Sequence, residues 1–77
     1  MSWSDRIELN PEVLVGKPVV KGTRISVELV LEMLANGVTE EEVLACYPRL
    51  TRVDVLACVA YATDLVKSER AFPLLSA

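Results

Sequence analysis

The chain has 77 residues, 52% of them apolar, and its eight basic and eleven acidic residues leave a net charge of −3. Such a length fits one small domain, and alone it is too short to enclose a deep pocket. The acidic balance argues against the broad basic footprint of a non-specific nucleic-acid binder. There is no histidine, and Cys46 and Cys58 form no C-x-x-C pair. Ligands for a zinc site are therefore missing, and the cysteines read as small core thiols. No apolar run has signal-peptide or membrane length, which predicts a cytoplasmic protein with no membrane partner. A chain this small buries only about 60% of its unfolded surface. Its heavy aliphatic load then predicts apolar surface covered by a second copy, so a homodimer is expected.

Met1 to Asp5 reads as a loose start, and Arg6-Ile7-Glu8-Leu9 alternates like a short half-buried strand. Asn10-Pro11 breaks it, and Val13-Leu14-Val15 is a brief apolar run ending at Gly16. The segment from Gly16 to Val27 packs two glycines, a proline and three cations ahead of the first helix. Within it, Val19-Val20 and Arg24-Ile25 suit tiny strands around a Lys21-Gly22-Thr23 turn.

Ser26 is a good N-cap, and Val27, Val30, Leu31 and Leu34 follow helical spacing, with Glu28 and Glu32 opposite. Asn36-Gly37 ends this helix. Thr39 with Glu42 forms a capping box opening a second, short helix whose buried side is Val43, Leu44 and Tyr47, and Pro48 stops it. Thr51 with Asp54 is a weaker box opening a third helix from about Arg52 to Glu69. Along that helix Val55, Cys58, Val59, Ala62, Leu65 and Val66 form one apolar side, and Val53, Leu56 and Ala60 a second. Asp54 and Asp64 border a polar sector. Two apolar sides predict two neighbours, the domain core and a partner chain. The expected organisation is a single domain over 1–77: an N-terminal β-arm over 1–25, a three-helix core over 26–70 and an apolar tail over 71–77.

Lys21-Gly22-Thr23 is not a phosphate loop, because that motif places the lysine after the second glycine of G-x-x-x-x-G-K-[ST]. Glu40-Glu41-Glu42 does not make a metal site either. Consecutive helical residues point about 100° apart, so the three carboxylates do not converge. No nucleophile and base are paired, so no catalytic residue, cofactor, metal or small-molecule substrate is expected, and the protein is not expected to be an enzyme. The short helix, the turn Pro48 to Thr51 and the longer helix follow helix-turn-helix order. Arg49 and Arg52 at the start of the longer helix are the DNA-binding candidates. Lys17, Lys21 and Arg24 are candidates for a protein partner's carboxylate or for a phosphate, Arg24 foremost because a guanidinium bonds bidentately. Phe72, Leu74 and Leu75 are candidates for filling a partner's groove.

The run NPEVLVGKPVVKGTRISVELVLEMLANGVTEEEVLACYPRLTRVDVLACVAYA resembles the small prokaryotic family called domain of unknown function 433. The resemblance spans about Asn10 to Ala62. It is carried by Gly16, Lys17, Pro18, Lys21, Gly22, Thr23 and Arg24, then by Gly37, Tyr47, Pro48, Leu50 and Thr51. Arg52-Val53-Asp54 departs from the family's usual acid pair, and Cys58 stands where alanine is common. The resemblance implies a mainly α fold, a homeodomain-like three-helix helix-turn-helix bundle with a short N-terminal β-arm. It also implies the antitoxin half of a toxin–antitoxin pair whose toxin is a PIN-like ribonuclease. The alternative is a helix-turn-helix DNA-binding transcriptional regulator, the chain's own operon among its candidate targets.

Overall fold

The structure is a computed structural model that describes residues 2–68. Three helices carry it: α1 over Val27–Ala35, α2 over Glu40–Cys46 and α3 over Arg52–Ser68. Two short strands, β1 (Ile7–Glu8) and β2 (Val19–Val20), pair antiparallel and bring the N-terminal arm onto the bundle. The mainly helical class with a β-arm is thus the one expected.

Each helix starts where a side chain relieves its unbonded N–H groups. The Ser26 hydroxyl accepts from the Leu29 amide at 3.0 Å. Thr39 and Glu42 complete a reciprocal box: the Glu42 amide donates to the Thr39 hydroxyl, and the Thr39 amide to the Glu42 carboxylate at 2.9 Å. These bonds favour the ionised form, the backbone donor most and the hydroxyl next, and hold the Glu42 carboxyl below its usual range. Gly37 ends α1 at φ +89°, a left-handed conformation that costs glycine little.

The core gathers Val20, Val27, Val30, Val43, Val55 and Cys58 with Ile7 and Leu50. Asp54 lies among them at 5% exposure, the one buried charged side chain among the described residues. It was expected at the border of a polar sector. It sits inside because its carboxylate has partners there: the Thr51 amide donates to it at 2.9 Å, and the Arg6 guanidinium lies 3.5 Å away. The Asp54 amide donates back to the Thr51 hydroxyl at 3.3 Å, closing the box that opens α3.

Three sequence expectations are revised. The start of the chain is tied down: Trp3 Nε1 donates to Asp64 at 2.6 Å, and its ring meets Tyr61 edge to face at 4.8 Å. Val19–Val20 takes β1 as its main partner, in the register Ile7↔Val20 and Glu8↔Val19. The turn toward Ile25 contributes a Val20 amide to Ile25 carbonyl bond and an isolated Val19↔Ser26 bridge. Finally, the broad apolar side of α3 divides. Val55 and Cys58 are buried, but Val59, Leu65 and Val66 stay 42% to 44% exposed, as do Val53 and Leu56 of the second side at 40% and 43%. At about 1.5 Å per residue, the 17-residue α3 runs about 25 Å and the nine-residue α1 about 13 Å, so α3 outreaches its neighbours.

The apolar run before Gly16 forms a 3-10 turn in which Leu14 and Val15 take φ +47° and +56°. Val15 is 93% exposed, so no packing offsets its left-handed backbone. Val15→Asn is expected to stabilise the fold by about 0.5–1 kcal/mol in urea denaturation, because asparagine tolerates this region; an unchanged midpoint would refute the strain. Asp54→Ala should cost about 2 kcal/mol, whereas Arg6→Ala, half in solvent, should cost about 0.5 kcal/mol. Burial, and then the Asp54 charge, push the Cys58 thiol from 9.0 up to about 11. Its folded pKa is raised, so its contribution to stability is complete below pH 9 and falls away as pH rises through about 11. In native protein at neutral pH, iodoacetamide should modify exposed Cys46 and spare buried Cys58.

Candidate protein-binding surface

The β-arm leads directly into the turn from Lys21 to Arg24. The Lys21 amide donates to the Arg6 carbonyl at 2.7 Å, continuing the β1–β2 ladder. The Thr23 amide and hydroxyl both donate to the Val20 carbonyl, at 3.0 and 2.8 Å, and the Thr23 hydroxyl accepts from the Ile25 amide at 3.0 Å. Gly22 takes φ +82°, and a Cβ there would meet no atom within 4 Å. Glycine is therefore present for its backbone conformation and not for space. These bonds fix the turn from both sides while Lys21 and Arg24 remain in solvent.

The candidate cations do not act as one patch. Lys17 Nζ lies 3.3 Å from Glu28 at the start of α1, and both side chains are exposed. Lys21 and Arg24 have no ion-pair partner among the described residues. On the α2–α3 turn, Leu50 is buried, its amide bonds the Tyr47 carbonyl at 2.9 Å, and Arg49 is exposed. Arg52 Nε lies 3.2 Å from Glu40, so the first arginine of α3 is bound to the acidic start of α2. Glu41 and Glu42 stand beside that pair in the first turn of α2. Phe72, Leu74 and Leu75 lie outside the described residues.

Two apolar surfaces were only partly anticipated. A groove of about 500 Å³ runs between α1 and α3, with Leu31, Ala35, Tyr61, Ala62 and Leu65 along it and Pro18 at its edge. On the outer side of α3, Leu56, Val59 and Val66 are exposed, and the spacing of Leu56, Val59, Thr63 and Val66 is that of a coiled-coil seam. The groove had no signature in the sequence, because two helices supply its walls and each presents only part of an apolar stripe. Among the described residues, no three His, Cys, Asp or Glu side chains are grouped to hold a metal ion, and no helix is long and apolar enough to cross a membrane.

No curated protein matches the chain. A crystal structure of a DUF433 member protein from Anabaena variabilis ATCC 29413 superposes with a TM-score of 0.72 at 30% identity, covering 86% of this chain and 68% of that one. The family model described as protein of unknown function (DUF433) matches residues 7–62, from the first strand through the middle of α3. The arm, the Lys21–Arg24 turn and the three helices are thus those of the DUF433 family, to which this chain belongs.

Proposed function

We propose that this protein is a non-enzymatic, antitoxin-like binding module that acts in the cytoplasm and neutralises a PIN-like ribonuclease. The observation that carries the reading is the presentation of Arg24. It stands exposed beside a turn braced by four hydrogen bonds, with no ion-pair partner among the described residues. A rigid turn reduces the ordering cost of binding, and a planar guanidinium matches a carboxylate with two bonds. Such a group fits the acidic, metal-binding centre of a nuclease, where it would occupy the place of the cation. Lys21 adds a second charge from the same turn, and Phe72, Leu74 and Leu75 are a further contact set near the C-terminus. The module works as a homodimer through the outer seam of α3, where Leu56, Val59 and Val66 are exposed at coiled-coil spacing.

The DNA-regulator reading draws less support from the same geometry. It relies on Arg49 and Arg52, and Arg52 is held by Glu40 beside two further carboxylates that repel phosphate. A dimer would supply two copies of Arg49, a thin anchor for a duplex.

Co-expression with a PIN-like ribonuclease encoded beside this chain should relieve its toxicity and yield a complex on size exclusion. Arg24→Ala should weaken that complex about tenfold to a hundredfold with the melting temperature unchanged. A ribonuclease that stays toxic and elutes alone would overturn the proposal. Salt-steep binding to upstream DNA that is lost in Arg49→Ala would favour the regulator instead.

A further inference from the structure

We infer that the groove between α1 and α3 is a docking site for an amphipathic helix of another protein, apolar along one stripe and carrying two cations one turn apart beside it. The apolar part follows from the lining. Leu31 and Ala35 on one wall face Tyr61, Ala62 and Leu65 on the other, and the groove is partly open to solvent. Residues at i, i+3, i+4 and i+7 of a helix fill a channel of this form.

The charge requirement follows from the rim. Glu28 and Glu32 also line the groove, one turn apart on α1, so their Cβ atoms stand about 5–6 Å from each other. Glu32 has no ion-pair partner among the described residues. Glu28 has only Lys17 at 3.3 Å, an exposed pair of the kind that exchanges readily for a better-placed cation. The chain's net charge of −3 acts in the same direction.

The described helices of a second copy do not supply this pair: neither α1 nor α2 contains a lysine or arginine, and α3 has only Arg52 and Lys67, fifteen positions apart. Lys67 and Arg70 are three positions apart in the sequence, which makes a second copy the rival occupant that the oligomer measurement below decides. The inference rests on the protein-binding reading but not on the partner's being a ribonuclease.

Trp3 is the chain's single tryptophan, and its ring contacts Tyr61 in the groove wall, so its fluorescence reports occupancy. The probes are two 16-residue helical peptides with leucines at i, i+3, i+4 and i+7, one with flanking lysines at i+1 and i+5 and one with glutamates there. Titrated into the full chain at low salt, the lysine peptide should bind about tenfold tighter than the glutamate peptide. Glu32→Lys, a change in solvent, should erase that preference, and Ala62→Phe, which fills the groove without adding a second tryptophan, should abolish binding of both peptides with the helical circular dichroism intact. Equal affinities, or no binding of either peptide up to about 1 mM, would overturn the inference. A tenfold gain of affinity in Phe72→Ala would also overturn it, by assigning the groove to the chain's own C-terminal residues. So would dissociation of a dimer by Leu31→Glu, which would assign it to a second copy. If the peptides fail while the co-expressed ribonuclease still forms its complex, the inference falls and the proposed function stands.

Discussion

The buried carboxylate of Asp54 is the constraint on which the rest of the structure depends. A charge at 5% exposure must find partners or destabilise the fold, and those available lie on different parts of the chain. The Thr51 amide, at 2.9 Å, sets where α3 begins. Arg6, at 3.5 Å and half in solvent, is a weaker partner energetically, but it fixes the arm in place. The Arg6 carbonyl then receives the Lys21 amide, so the same residue that faces the core carboxylate also registers the turn presenting Arg24. A short hydrogen-bonded path therefore joins the start of α3 to the turn that carries Arg24.

The second determinant is the length of α3. The helix packs against α1, α2 and β1, but Leu56, Val59 and Val66 stay exposed along it. The Trp3, Tyr61 and Asp64 cluster partly covers its C-terminal half, with one indole serving as both a ring contact and a hydrogen-bond donor. What that cluster does not cover becomes two surfaces on opposite sides of one helix, the groove toward α1 and the outer seam. A dimer through the proposed seam would leave the α1 wall of the groove uncovered.

Features set by residues three or four positions apart were legible in the sequence. Ser26, the Thr39–Glu42 box and the Thr51–Asp54 box each mark a helix start through bonds that span three residues. Long-range partners were not legible. The hydrogen bond from Trp3 to Asp64 crosses 61 positions, and two-residue strands carry too little alternation to name a partner or register. Helical periodicity showed that α3 is apolar on two sides, but not where its neighbours end. For the candidate site, the positions of the cations could be read but their pairing could not. Nothing local indicates that Glu28 faces Lys17 or that Glu40 reaches Arg52.

That pairing decides which recognition chemistry the surface suits. Binding a nucleic-acid backbone requires several unpaired cations spread along a track, because each phosphate contributes separately. Here the cation at the start of α3 is paired with an acidic neighbour, and of the four cations without an ion-pair partner among the described residues Lys21 and Arg24 share one tight turn, while Arg49 lies on the α2–α3 turn and Lys67 near the end of α3. Two cations on a braced turn match a compact cluster of carboxylates far better than an extended polyanion. The acidic rim of the groove follows the same logic with the sign reversed, since Glu28 and Glu32 concentrate negative charge beside an apolar channel. If protein binding is the function, as proposed, local charge of each sign would let the turn and the groove rim each select a partner surface of opposite charge.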